Sequence, residues 1–175
     1  MNADAAFAPL TIIVAGVAGS GKSTFGTALA HRLDWRFVEG DDFHSAANRA
    51  KMACGEPLDD EDRAPWLAAL RAEIRRARAA GEQTVVGCSA LKQVYRAQLA
   101  ALPATAFVFL KIDRDTARRR VADRADHYMP VGLIDSQFDA LEPPTAAPGR
   151  ILIIDADRPL EEMIASTLSA LPLEP

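Results

Sequence analysis

The stretch Gly16-Val17-Ala18-Gly19-Ser20-Gly21-Lys22-Ser23-Thr24 carries the spacing G-x-x-x-x-G-K-[ST], and it follows directly on the apolar run Leu10-Thr11-Ile12-Ile13-Val14-Ala15. A buried strand that delivers the chain into a glycine-rich turn, with a helix leaving it, is the setting of a phosphate-binding loop. Gly16, Gly19 and Gly21 let the backbone curl until successive N–H groups and the positive end of the next helix converge on a β-phosphate. Lys22 then bridges the β- and γ-phosphates, and the Ser23 hydroxyl ligates Mg²⁺ directly. Val17, Ala18, Ser20 and Thr24 complete the expected ATP-binding segment. A glycine turn that only joins strand to helix needs neither Lys22 nor Ser23 in register.

Outward from this loop, apolar runs of strand length recur at 10–15, 36–38, 84–88, 106–110 and 151–154, separated by segments of helical periodicity. Such alternation predicts an α/β fold, a parallel sheet with helices on both faces. Right-handed crossovers place every strand C-terminus on one edge, the edge where ligands bind. Between the second and third runs, Asp59-Asp60-Glu61-Asp62 precede Pro65; Trp66, Leu67, Leu70 and Ile74 follow at helical spacing, then Arg75, Arg76, Arg78 and the stop Gly81. Acid first, base last and a terminal glycine match the helix dipole and its caps. A second helix is expected from about 113 to 126, rich in arginine (Arg114, Arg118, Arg119, Arg120, Arg124), and a terminal one through Leu160, Met163, Ile164 and Leu168. Residues 143–149 read as a surface loop.

The chain has 175 residues, a net charge of −4 and 25% charged residues. That length is one domain, 1–175, with its own two-sided core. A mildly acidic chain is a poor partner for genomic nucleic acid, so any basic residues that matter act as a local cluster. Cys54 and Cys88 form no C-x-x-C and suit a reducing cytoplasm; both read as small buried hydrophobes. Residues 1–9 lack a basic leader pattern, and no apolar run approaches a membrane span, so a cytoplasmic protein is expected.

A phosphate loop does not by itself choose a reaction. The guanine-specific N/T-K-x-D loop is absent, since Leu110-Lys111-Ile112-Asp113 lacks the leading residue. The second strand run leads into Glu39-Gly40-Asp41-Asp42, which brings carboxylates to the ligand edge. A phosphate acceptor, with its second pKa near ~6, needs no base, whereas a sugar hydroxyl benefits from one. Asp41 therefore favours hydroxyl phosphorylation; its alternative is a helix N-cap for a segment starting near Phe43. Glu39 either orients Mg²⁺-bound water or is ordinary strand-end solvation. His44, Asn48 and Lys51 are spaced to share one helical face. That face suits a polyhydroxylated carboxylate, and a plain solvated face is its rival.

The string at 16–23, E-G-D-D-F-H at 39–44, N-R-A-K-M-A-C-G-E-P-L-D-D-E-D-R-A-P-W-L at 48–67, C-S-A-L-K-Q-V-Y-R at 88–96, and H-Y-M with D-S-Q-F-D-A-L-E-P-P ending at Pro144 together resemble bacterial-type gluconokinase. The likeness extends over nearly the whole chain, and the block K-M-x-x-G-x-P-L-x-D-x-D-R-x-P-W-L is far more specific than the phosphate loop. It implies transfer of the ATP γ-phosphate to the 6-hydroxyl of D-gluconate. It also implies a three-layer P-loop kinase fold related to shikimate kinase and the nucleoside monophosphate kinases, with five parallel strands in the order 2-3-1-4-5. A mobile lid at about 118–135 and a homodimer follow from the same resemblance.

Residue by residue, the resemblance makes Asp41 the base or hydroxyl-orienting carboxylate. It nominates Lys51, Arg63 and Lys92 for the gluconate carboxylate and hydroxyls, with His44, Asn48, Tyr95, Arg96, His127 and Gln137 as neighbours. Arg124 is assigned to the transferring phosphoryl group, and Arg120 to the nucleotide with help from the Arg158-Pro159 turn; Arg118 and Arg119 fall to a solvated flank. Three departures stand out: Glu39 where Asp is usual, Ser45 where Pro is common, and Asp126-His127-Tyr128 in place of Gly-His-Phe. A kinase for another small hydroxy acid such as shikimate, or an ATP-binding regulatory module, are the rival functions. The former would favour a glycine-rich turn where this chain has Cys88-Ser89-Ala90.

Overall fold

The computed structural model describes residues 11–123, 132–145 and 150–171. Five strands, β1 (Thr11–Ala15), β2 (Arg36–Glu39), β3 (Thr84–Gly87), β4 (Thr105–Lys111) and β5 (Ile151–Asp155), form one sheet in the order β2-β3-β1-β4-β5. All four pairings are parallel, and Ile13 of β1 lies between Val86 of β3 and Phe107 of β4. The helices are α1 (Lys22–Leu33), α2 (Ala46–Ala53), α3 (Asp60–Ala79), α4 (Gln93–Ala100), α5 (Arg114–Ala122), α6 (Gly132–Ala140) and α7 (Leu160–Ala170).

β1 is buried along its length and apolar from Ile12 to Ala15 because both its faces are covered. Its side chains alternate between two cores. Ile13 joins Val86, Phe107 and Phe109 against Trp66, Leu67, Leu70 and Ile74 of α3 and Leu99 of α4. Ile12 and Val14 join Val85, Val108 and Leu110 against Phe25 and Leu29 of α1 and Met163 and Ile164 of α7. Each fully buried aliphatic side chain here contributes about 1.5–3 kcal/mol. A third, smaller cluster packs Val17 and Ala18 of the phosphate loop against Met52, Leu58, Ala117, Val121, Leu133 and Ile134. The loop is thus wedged between α2 on one side and α5 and α6 on the other.

The ends of α3 follow the rules its sequence announced. Asp59 accepts from the Asp62 N–H while the Asp62 carboxylate accepts from the Asp59 N–H, a reciprocal capping box. Pro65 lies inside the helix, where its missing N–H leaves one carbonyl of the previous turn without its usual donor. At the other end Gly81 has φ 73°, and the N–H groups of Gly81 and Glu82 close onto the carbonyls of Arg78 and Ala77. Among the described residues no helix is long and apolar enough to cross a membrane.

Several expectations need correction. His44, Asn48 and Lys51 do not share a helical face, because Ser45 caps α2 by accepting from the Asn48 N–H and leaves His44 outside the helix. The same cap removes the N-cap role from Asp41, which sits in a 3-10 turn over Gly40–Phe43. Cys54, read as buried, is exposed, whereas Cys88 is buried. The arginine-rich helix ends at Ala122 rather than near 126. The central part of the expected lid, with Arg124 and His127, lies outside the described residues, as does most of the expected loop at 143–149.

Candidate active site

Unlike α2, α3 and α5, whose N-termini are capped by Ser45, Asp59 and Asp113, α1 begins with no side-chain cap and no acid in its first turn. Its positive end is therefore left for an external anion. Gly21 takes the left-handed conformation at this N-cap, φ 90°. At Gly19, φ 80°, a Cβ would stand 2.7 Å from the Ala117 carbonyl, so only glycine lets α5 lie against the loop. The Lys22 ammonium folds back to the Val17 carbonyl at 3.0 Å. The Ser23 hydroxyl donates to Glu39 Oε2 at 2.6 Å. A hydroxyl beside a carboxylate at the loop is an oxygen donor set suited to a hydrated Mg²⁺.

β2 brings the acidic segment to the same edge. A Cβ on Gly40 would come within 2.2 Å of the Gly87 carbonyl, so glycine is what lets the chain turn across the end of β3. The turn is pinned by Trp66, whose Nε1–H donates to the Gly40 carbonyl at 2.7 Å. Asp41, His44 and Arg63 then line one cavity together with Ala18, Gly19, Gly21, Lys22, Ser23 and Gln137. Met52, Leu58 and Ser89 complete its wall. None of these three is a site candidate from the sequence; the signals that point to them are the fixed places of Met52 and Leu58 in the K-M-x-x-G-x-P-L block and the place of Ser89 just beyond a strand C-terminus.

The cavity's side chains are held from behind. The His44 ring stacks on Trp66 with centroids 4.6 Å apart and planes 9° from parallel, and its Nε2 stands 3.9 Å from Asp41 Oδ1. Burial lowers the His44 pKa, Asp41 opposes this, and Arg63 and Arg49 reinforce it. Arg63 donates through Nε to the Leu58 carbonyl at 3.3 Å and spreads over the Tyr95 ring at 5.7 Å. Gln137 accepts the Ala18 N–H at 2.7 Å, tying α6 to the phosphate loop.

Of the remaining acceptor candidates, Lys92 and Tyr95 line an adjoining cavity that shares Leu58 and Arg63 with this one. Lys51 pairs with Asp62 at 2.6 Å, which raises the lysine pKa and lowers that of the acid. Asn48 donates to the Asp62 carbonyl at 2.7 Å. Lys92 pairs with Asp60 at 2.7 Å, and the Tyr95 hydroxyl bonds the same carboxylate. Hydrogen bonds from Lys92 and then Tyr95 lower the Asp60 pKa. Arg96 is only 6% exposed and spends its guanidinium on the carbonyls of Ala90, Leu91 and Glu142. It joins the turn after β3 to the segment after α6.

A second cavity opens on the other side of the loop, lined by Gly19, Ser20, Gly21, Thr24, Phe25, Arg120, Ala156, Arg158, Leu160 and Met163. Arg120 donates to the Ala156 carbonyl at 3.0 Å and to Asp157 at 3.1 Å, and Arg158 reaches Glu162 at 3.1 Å. Pro159 caps α7 beside this wall. Val17 is buried in the third cluster, and Gly16 lies at the root of the loop with its N–H on the Ser89 carbonyl. Arg118 and Arg119 lie on a solvated flank, where Arg118 also pairs with Asp135 at 2.5 Å and so links α5 to α6, and Arg119 donates to Thr116 within α5.

Comparison with known proteins agrees with this arrangement. Residues 11–144 match the family model described as an AAA domain. The chain is 38% identical to the thermoresistant gluconokinase of Escherichia coli K12, over 91% of this chain and 91% of that protein. It is 46% identical to the gluconokinase of Gluconobacter oxydans, over 78% of this chain and 77% of that protein. The crystal structure of a gluconokinase from Sinorhizobium meliloti superposes with a TM-score of 0.82 at 40% identity, covering 94% of this chain and 92% of that one. With its sheet order, its phosphate loop and its acid-and-cation cavity all of one kind, the chain belongs to the gluconokinase family.

Proposed function

We propose that this protein transfers the γ-phosphoryl group of ATP to the 6-hydroxyl of D-gluconate, giving 6-phospho-D-gluconate and ADP. The observation that carries the reading is the shared cavity: Asp41, His44 and Arg63 line the same space as Lys22 and Ser23. A phosphate loop, a carboxylate and a guanidinium around one cavity fit an acceptor that has a hydroxyl to deprotonate and an anionic end to hold.

The ATP phosphates rest on the backbone of the loop and the bare N-terminus of α1, with Lys22 on the β- and γ-oxygens. The adenine ring of ATP is assigned to the space between Arg120 and the Arg158-Pro159 turn. When bound, Mg²⁺ held by Ser23 and, through water, by Glu39 neutralises phosphate charge. The 6-hydroxyl oxygen attacks the γ-phosphorus, the bond to the β–γ bridging oxygen breaks, and the hydroxyl proton passes to Asp41. Arg63 is the cation assigned to the gluconate carboxylate, because the ammonium groups of Lys51 and Lys92 are already occupied by Asp62 and Asp60. The expected lid completes this reading: Arg124 is assigned to the transferring group and His127 to the acceptor, and the lid's task is to exclude water that would otherwise hydrolyse ATP.

A cytoplasmic homodimer is part of this reading, and light scattering on the purified chain tests the dimer. The activity is tested by ADP release with D-gluconate, shikimate and nucleoside monophosphates as separate acceptors. Gluconate-dependent release supports the assignment; release with shikimate or a monophosphate alone removes it.

A further inference from the structure

The imidazole of His44 is placed without using either of its nitrogens. The residue is 7% exposed, and Nδ1 is shielded from solvent with no hydrogen-bond partner. Its anchors are the stack on Trp66, the His44 N–H on the Asp41 carbonyl at 3.2 Å, and Arg49 on the His44 carbonyl. A buried polar ring positioned by packing and backbone alone, on the wall of a ligand cavity, calls for a ligand-side reason.

The spacing supplies one. Nε2 and Asp41 Oδ1 are 3.9 Å apart, too far for a direct bond, yet a single oxygen at about 2.8 Å from each fits between them. A buried nitrogen with no acceptor in reach is better left as a lone pair than as an orphaned N–H, which puts the proton of the neutral ring on Nε2. Nε2–H then donates, and the Asp41 carboxylate accepts. The atom between them must accept on one side and donate on the other, which a hydroxyl does and a carbonyl, ether or ammonium does not.

Resting on the kinase reading above, we propose that His44 and Asp41 form a clamp for the attacking hydroxyl of the acceptor. Asp41 takes the hydroxyl proton, and Nε2–H holds the lone pair not aimed at the γ-phosphorus. His44 keeps its own proton throughout, so the transfer stays balanced between hydroxyl and Asp41. The charged groups around the ring agree with a neutral imidazole: burial lowers its basicity, with Arg63 from α3 and Arg49 from α2 adding to this and Asp41 alone opposing it. His44 is thereby a specificity residue that selects a hydroxyl as nucleophile, distinct from Arg63, which holds the anionic end.

The test compares His44→Phe, which keeps a ring on Trp66 and drops both nitrogens, with His44→Gln, which restores an N–H donor. Gluconate kinetics, Mg·ATP affinity by calorimetry and the melting temperature are measured for each. The clamp predicts that His44→Phe lowers kcat about a hundredfold with little change in gluconate KM or Mg·ATP affinity. It also predicts that His44→Gln recovers a tenth or more of the wild-type kcat. A His44→Phe protein as fast as wild type overturns the clamp while leaving the kinase reading in place. So does a folded His44→Gln protein with no recovery, even where His44→Phe fails to fold. Wild-type protein without gluconate-dependent ADP release overturns the kinase reading and the clamp together.

Discussion

The Ser23 hydroxyl and the Glu39 carboxylate are joined by a 2.6 Å hydrogen bond across the mouth of the phosphate loop. Ser23 lies in the first turn of α1 and Glu39 ends β2, so the bond ties the nucleotide-binding helix to the strand that delivers Asp41 two residues later. In the proposed reaction both oxygens serve the metal. Glu39→Gln keeps the size and a hydrogen-bonding amide but removes the negative charge. It is expected to raise the Mg²⁺ concentration needed for half-maximal activity about tenfold, in keeping with losses seen when a metal's outer partners are removed. A titration of ADP release against Mg²⁺ at saturating ATP checks this, and an unchanged midpoint removes Glu39 from the metal site.

Arg63 is the test of how the acceptor's anionic end is held. A hydrogen bond to a charged group is worth about 1.5–3 kcal/mol, so Arg63→Leu is expected to raise gluconate KM by about ten- to a hundredfold. Mg·ATP affinity should stay near wild type. Steady-state kinetics with each substrate varied separates the two, and a rise confined to the ATP side would move Arg63 to the nucleotide.

The two thiols should differ in reactivity. Cys54 is exposed at the end of α2, while burial pushes the Cys88 thiol up to about 12, and thiolate is the reactive form. Alkylation of the folded protein near neutral pH is expected to label Cys54 alone, as read by peptide mass spectrometry. Labelling of Cys88 without unfolding would contradict its burial in the core.

Stability in acid should depend on Glu73. Its carboxylate accepts from Arg76 within α3 and from Arg36 on β2, and these contacts lower its pKa from 4.5 to about 2. A depressed folded-state pKa means stability that is fully present above 4.5 and is lost as pH falls through the range down to about 2. The arginines are 41% and 53% exposed, so solvent screening limits the contribution to about 1 kcal/mol. Glu73→Gln should show a correspondingly weaker loss of urea midpoint between mildly and strongly acidic buffer. Parallel curves for both proteins would contradict the assignment.

The central strands β1, β3 and β4 are legible because parallel strands buried on both faces are largely apolar, and each of the five runs lies within about two residues of its strand. The phosphate loop was legible because its glycines and Lys22 are fixed by backbone geometry. What escaped was decided by partners distant in sequence. Nothing local to Arg96 says that the carbonyls of Ala90, Leu91 and Glu142 will consume it. Lys51 and Lys92 carry charge suited to a substrate, and their spacing does not say that the acidic N-terminus of α3 will pair with both. His44 was read onto a helix because its spacing allows it; a single hydroxyl, Ser45, moves the helix start past it and leaves the ring to Trp66.

The central claim is that the carboxylate of Asp41 faces the phosphate loop across a cavity fit for a sugar acid. Its most direct measurement is the product formed from ATP and D-gluconate, identified by phosphorus NMR and mass spectrometry, with wild-type and Asp41→Ala proteins side by side. The account predicts 6-phospho-D-gluconate and ADP in equal amounts from the wild type, and a loss of about a hundredfold or more in Asp41→Ala. No phosphorylated gluconate from the wild type, or a normal rate from Asp41→Ala, would contradict it.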